Sequence, residues 1–306
     1  MLAYISHSDC LSHDTGPMHP ERAARLHAIN DAVIASGLEM ALQHFDAPLA
    51  SREQLDLVHD PAYVQQVFDV APDKGWVQLD AGDTLMSPGT LQAALRAAGA
   101  GAMGVDLVMA GKVASSFCAV RPPGHHAERA TPMGFCIFNN VAVAAAHAMS
   151  VHGLARVAIV DFDVHHGNGT EDIFAGDERV LVCSSFQHPF YPFSGHNSGA
   201  ANLIDIPLEA GMRGEDYMAL VADRWYPALR DFAPQFIFIS AGFDGHADDD
   251  MSGIGLVERD YANITRELVT IAGEHAQGRI VSMLEGGYEL ASLGRSVVAH
   301  LKALLG

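Results

Sequence analysis

Basic side chains are scarce in this chain: 18 lysines and arginines stand against 37 aspartates and glutamates, a formal charge of −19. A surface of that sign repels phosphate backbones and argues against direct nucleic-acid binding. It attracts cationic partners such as lysine-rich peptides or polyamines, although acidity alone also supports solubility. Cysteine is sparse as well. Cys10, Cys118, Cys136 and Cys183 are widely scattered with no CxxC pair, a pattern that suits a reducing compartment and no disulfide framework. The opening MLAYISHSDC lacks a basic region followed by a long apolar stretch, so no signal peptide is expected. The Ala/Gly-rich segment from Leu91 to Gly111 is interrupted by Arg96 and Asp106, which argues against a membrane span. A soluble, cytoplasmic protein is the expectation.

No linker, charge block or repeat divides the 306 residues, and α/β folds of this length are often one unit. A single domain over 1–306 is therefore expected. Apolar residues make up 49% and charged residues 18%, enough apolar material for a sizeable core. Short β-branched or aromatic runs predict strands at Leu2–Ser6, Val113–Val120, Val157–Phe162, Val180–Ser184, Phe236–Ser240 and Ile280–Leu284. Helical patterns cover Pro20–Ala35, Pro61–Val70, Pro88–Ala110, Val141–His152, Glu215–Arg230, Glu258–Glu274 and Leu290–Leu304. Alternation of the two implies βαβ units and a mostly parallel sheet with helices on both faces. Ligands of such folds bind beyond the carboxyl ends of the strands. Five polar clusters directly follow strand candidates: Arg121–Glu128, Asp161–Asn168, Ser184–Tyr191, Asp244–Asp250 and Glu285–Tyr288. They are expected to share one rim.

VDFDVHHGNG is the most informative segment. Residues two apart on a strand face the same way, so Asp161, Asp163 and His165 project together as the strand ends. Asp163 and His165 offer an oxygen and a nitrogen, a pair suited to a borderline metal such as zinc. The bland alternative is a buried Asp/His cluster, yet two neighbouring buried carboxylates need a compensating cation. Asp244, in SAGFDGH, adds a third donor, with Gly242 allowing a sharp turn. Taken alone, Asp244 is equally a helix cap or a loop acid. His125 and His126 follow a stiff Pro-Pro-Gly turn. They suit ligation, proton transfer or a surface pair; with three donors already present, proton transfer is the better role. A carboxylate such as Asp161 orients one imidazole and raises its pKa. Tyr288, behind two glycines in LEGGYE, suits oxyanion stabilisation, although a loop tyrosine is more often packing.

The order and spacing of RPPGHHA, GFCIFNN, DFDVHHGNGT, SAGFDGH and LEGGYE resemble the histone deacetylase family, including its bacterial amidohydrolases, over nearly the whole chain. The resemblance implies the arginase–deacetylase α/β fold and one zinc ion on Asp163, His165 and Asp244. It places His125 and His126 beside a zinc-bound water, with Asp161 behind His125 and Tyr288 as oxyanion donor. Asn168 falls where some members carry an acid paired with the second histidine, and an amide there leaves His126 more easily neutral. Phe135 matches a tunnel wall, Tyr191 stands where the opposite wall is often Phe, and Met251 occupies a gatekeeping position. Arg22 is the match for an internal-cavity arginine. Asp161, Asp163, His165, Ser184 and Ser185 match a structural potassium site, partly through backbone atoms.

The activity so implied is hydrolysis of an acyl-lysine or a related acylated amine. No GxSxG elbow points to a covalent alternative. An acetylpolyamine amidohydrolase is the first rival; the acidic surface favours it, but polyamine-preferring relatives often carry Glu where Met251 stands. An arginase-like dimanganese enzyme is disfavoured, because DFDVHHG offers His where a further Asp would bridge. A non-catalytic acyl-ligand binder would have lost some of these residues, and all are present.

Overall fold

Short, mostly apolar runs suit strands covered on both faces, and the centre of the molecule is built from them. A computed structural model describes residues 1–195 and 199–306. Its strands are β1 (Leu2–Ser6), β2 (Leu42–Asp46), β3 (Val77–Gln78), β4 (Leu85–Met86), β5 (Ser115–Cys118), β6 (Val157–Asp161), β7 (Val180–Gln187), β8 (Leu203–Leu208), β9 (Ile237–Ala241) and β10 (Ile280–Leu284). Helices are α1 (Ala24–Ala35), α2 (Arg52–Leu55), α3 (Pro61–Val70), α4 (Thr90–Met109), α5 (Asn140–His152), α6 (Asn168–Phe174), α7 (Gly214–Phe232), α8 (Glu258–His275) and α9 (Leu290–Leu305).

Eight strands form one parallel sheet in the order β2-β1-β5-β10-β9-β6-β7-β8, flanked by helices. Every residue of β5, β6, β7, β9 and β10 is buried. The expected α/β fold with a parallel sheet is the one observed. No helix of the described residues is long and apolar enough to cross a membrane.

The register places the site. Asp161 at the end of β6 lies beside Ser184 of β7 and Ser240 of β9, while Leu284 of β10 lies beside Ala241 of β9. β6, β9 and β10 therefore end level, β7 runs on to Gln187, and the loops that leave them share one rim. The Ala/Gly-rich α4 is pressed close to its neighbours. A β-carbon at Gly101 would crowd Ala144 of α5, and one at Gly104 would crowd Ser116 of β5.

Differences from the sequence-based elements have local causes. α1 begins at Ala24 and not Pro20, because Glu21 is drawn inside to bind the buried Arg25 and Arg121. The flanking strands β2 and β8 were not expected. β2 is half-exposed along its length, and β8 carries Asp205 and Pro207, so neither shows an unbroken apolar run; proline is tolerated there because β8 is an edge. α6 contains Gly169 and is only seven residues long, too short for a periodic signal.

Candidate active site

Three backbone turns at the rim aim carboxylates inward by giving them N–H donors. Asp161 Oδ1 accepts from Asp163 N at 3.0 Å, and Asp163 Oδ1 accepts from His165 N at 2.9 Å. Asp163 Oδ2 accepts from Gly286 N at 2.8 Å, after β10, and Asp244 Oδ1 accepts from Val164 N at 3.0 Å. β6, β9 and β10 thus hold each other's acids. A β-carbon at Gly242 would overlap Asp163 Oδ2, and one at Gly286 would overlap Asp244 Oδ2; glycine is required at both for close approach.

His165 Nδ1 sits 3.1 Å from Asp163 Oδ1 and 3.1 Å from Asp244 Oδ2. These three buried residues converge so that one donor atom from each lies within 4.8 Å of the others. Burial disfavours charge on His165, but its bonds to Asp163 and Asp244 outweigh that and push it up to about 10. Burial and the charge of Asp163 push the Asp244 carboxyl up to about 6. Two acids and one imidazole in so dry a place carry excess negative charge that a divalent cation neutralises. The donor set, two oxygens and one nitrogen, fits zinc with positions left open.

The histidine pair lies beside this cluster. His125 Nδ1 is 2.9 Å from Asp161 Oδ2. Burial works against charge on His125, yet Asp161 and Asp163 hold its pKa well above the ordinary value. His126 behaves in the opposite sense: burial, and then the charges of His125 and His165, hold it well below. Its Nδ1 is 2.8 Å from Asn168 Oδ1. Asn168 Nδ2 in turn donates to Glu128 Oε1 at 2.8 Å. Glu128 thereby fixes which end of the amide faces the ring, so His126 Nδ1 donates and Nε2 keeps a lone pair.

A pocket of about 270 Å³ opens above the two histidines and His165. Phe135, Tyr191, Met251 and Tyr288 all line it. Phe135 has φ of +69°, a left-handed conformation that costs a bulky residue about 1–2 kcal/mol. It turns the ring toward Tyr288, at 6.1 Å between centroids. Tyr191 meets His126 edge-on at 5.4 Å.

Other contributors had no individual role assigned from the sequence. Phe190 stacks on His165 at 5.6 Å, and Asp83 and Asp250 reach the pocket lining. Asp249 Oδ2 accepts from the backbone N of Tyr288 at 2.6 Å and of Glu289 at 3.0 Å, tethering the last loop. Glu285 joins that loop to the histidine turn by accepting from Gly124 N at 2.7 Å and His125 N at 3.2 Å. The internal arginine is Arg25, correcting the expected Arg22. Arg22 precedes α1 and is exposed. Arg25 is buried, donates to Gly287 O at 2.6 Å and Glu285 O at 2.5 Å, and lies 4.9 Å from the Tyr288 ring centre. Arg22 lies just outside α1 and Arg25 in its first turn, and nothing in the local sequence tells which of them turns inward.

Ser184 and Ser185 are both buried on β7 but differ in what they touch. Ser185 Oγ bonds to Tyr217 Oη at 2.8 Å, whereas Ser184 Oγ has no hydrogen-bond partner among the described residues.

A buried carboxylate–imidazole cluster, a histidine pair and a tyrosine thus meet at the strand ends of a parallel sheet. Residues 19–304 match the histone deacetylase domain, and the chain belongs to the histone deacetylase family. It is 39% identical over 312 residues to uncharacterized protein slr0245 of Synechocystis sp., covering 100% of both chains. It is 39% identical over 302 residues to polyamine deacetylase HDAC10 of Homo sapiens, covering 94% of this chain and 44% of that one. The crystal structure of the HDA15 HD domain superposes with a TM-score of 0.93 at 33% identity, covering 100% of this chain and 88% of that one. It is 34% identical over 350 residues to type-2 histone deacetylase 2 of Dictyostelium discoideum, of whose length it spans only 20%.

Proposed function

We propose that residues 1–306 form a single zinc-dependent catalytic domain that hydrolyses the acyl-amide bond of an acyl-lysine or a related acylated amine. The observation that carries this reading is the buried Asp163–His165–Asp244 cluster at the foot of a pocket whose walls include His125, His126 and Tyr288. Zinc bound there would polarise the acyl carbonyl and lower the pKa of a water. His126 is the general base: burial keeps it neutral, and its Nε2 accepts the water proton. The same proton then passes from His126 to the departing amine. His125, bound to Asp161, stays charged and holds positive potential beside the reacting carbonyl. Phe135 and Tyr191 flank the alkyl chain, with Met251 at the wall of the pocket.

A structural potassium ion is proposed beside the end of β6. Support comes from Ser184 Oγ, buried and unpartnered next to Asp161 in the ladder. Asp161, Asp163, His165 and Ser185 would contribute with it, Ser185 through its carbonyl because its hydroxyl is engaged.

A polyamine substrate is the second reading, favoured by Asp83 and Asp250 on the pocket wall. Turnover of acyl-lysine peptides and acylated polyamines at defined metal content decides between them. Chelation is expected to abolish hydrolysis of either substrate, with zinc restoring it. Hydrolysis unchanged after verified metal removal would reject the mechanism.

Tyr288→Phe tests the oxyanion donor. The phenol acts on charge that develops only in the transition state, so kcat is expected to fall by roughly two to three decades. Zinc content and KM should change little. A rate within about twofold of the unsubstituted enzyme, with zinc confirmed, would reduce Tyr288 to packing.

A further inference from the structure

Far from the catalytic rim, two imidazoles point at one carboxylate oxygen. α5 starts beside the histidine turn, where Asn140 Nδ2 bonds to Pro122 O at 3.1 Å. It ends at His152, roughly 18 Å further along at 1.5 Å per residue. There His147 Nε2 and His152 Nε2 lie 2.9 and 2.7 Å from Asp106 Oδ1 on the neighbouring α4. The two rings are 5.9 Å apart and nearly perpendicular. One ligand atom from each residue falls within 4.8 Å of the others. Asp106 is more than half exposed, His152 about a quarter and His147 nearly buried, so an ion has access from solvent to a partly walled site.

We propose that Asp106, His147 and His152 form a second metal site, for a borderline divalent ion and for zinc foremost. Two imidazole nitrogens and one carboxylate oxygen are the donors zinc prefers, with bonds of about 2.0–2.2 Å. Donors at those bond lengths around a tetrahedral ion stand roughly 3.3 Å apart, so the observed separations need only a small opening. The fourth position faces solvent and takes water.

Gln54 sets the affinity. Its Oε1 accepts from Ser51 N at 2.8 Å within the cap of α2, which leaves its amide nitrogen facing His147 Nδ1 at 3.4 Å. Without metal, His147 accordingly carries its proton on Nε2 and donates to Asp106. Ligation through Nε2 moves that proton to Nδ1, where it confronts the Gln54 amide protons. Metal-bound histidines ordinarily donate this second N–H to an acceptor such as a carboxylate, so Gln54 weakens the site. Gln54→Glu would supply the acceptor and still complete the Ser51 cap, since glutamate serves at that position.

The test uses the enzyme with its catalytic zinc in place. Equilibrium dialysis against free zinc, read as metal per chain, should give two equivalents for the unsubstituted protein. Asp106→Asn and His152→Gln should each retain one, with unchanged hydrolysis. Gln54→Glu should tighten the second equivalent by on the order of tenfold. A single equivalent in the unsubstituted protein would overturn the proposal. So would a second equivalent that survives both Asp106→Asn and His152→Gln, because that ion lies elsewhere.

Discussion

Asp244→Ala is expected to lose its zinc and all measurable hydrolysis while keeping its fold. Asp244 supplies one of three convergent donors, and the remaining Asp163 and His165 cannot close a site for a catalytic ion. The fold should survive for an electrostatic reason. In the absence of a cation, burial and the charge of Asp163 already push the Asp244 carboxyl up to about 6, so ionised Asp244 opposes the metal-free fold at neutral pH. Its removal takes away that repulsion. Val164 N loses its acceptor at 3.0 Å, and His165 Nδ1 loses Asp244 Oδ2 but keeps Asp163 Oδ1 at 3.1 Å. Elemental analysis and turnover on the same sample check the expectation. Stoichiometric zinc with normal turnover in this variant would sink the ligand assignment.

His126→Ala should separate metal binding from proton transfer. The imidazole is held by Asn168 and not by the acid cluster, so zinc and a metal-chelating hydroxamate should still bind. The rate should fall by on the order of two to four decades, the usual range for a general acid–base. Loss of metal would make this histidine a ligand instead. The pH profile of the unsubstituted enzyme offers a second reading. A base must be neutral, and His126 is held below the ordinary histidine value by burial and neighbouring positive charge. The acid limb of kcat/KM should therefore lie below pH 6.5, the unperturbed value. A limb at or above that value would contradict the assignment of the base.

The inner six strands were legible because each is a short, mostly apolar run, and five of them lead into clusters of chemistry-bearing residues. That is why Asp163, His165 and Asp244 could be assembled from one spacing rule and one turn. Less visible were residues that act through the backbone. Asp249 holds Tyr288 by accepting from two main-chain nitrogens, and a carboxylate that serves the backbone leaves no pattern in spacing. Glu128 reaches His126 only through the Asn168 amide, a geometry set by side-chain rotamers. Arg22 and Arg25 both precede or open the same helix, and only packing decided that Arg25 turns inward.

The strand order has a consequence for the time at which the centre comes into being. The loop leaving β6 carries Asp163 and His165, yet the neighbour of β6 across the site is β9, and His165 and Asp244 are 79 residues apart in the chain. β9 in turn is clamped between β6 and β10, and Gly286 after β10 donates the bond that orients Asp163. Parallel pairings of such sequence separation form slowly, since loop closure precedes any reward from contact. A nascent chain that has finished β6 and β7 thus holds two of the three donors and no binding site. The three donors come together only after β9 has been inserted and β10 has docked against it, so a metal held there would be captured among the last events of folding.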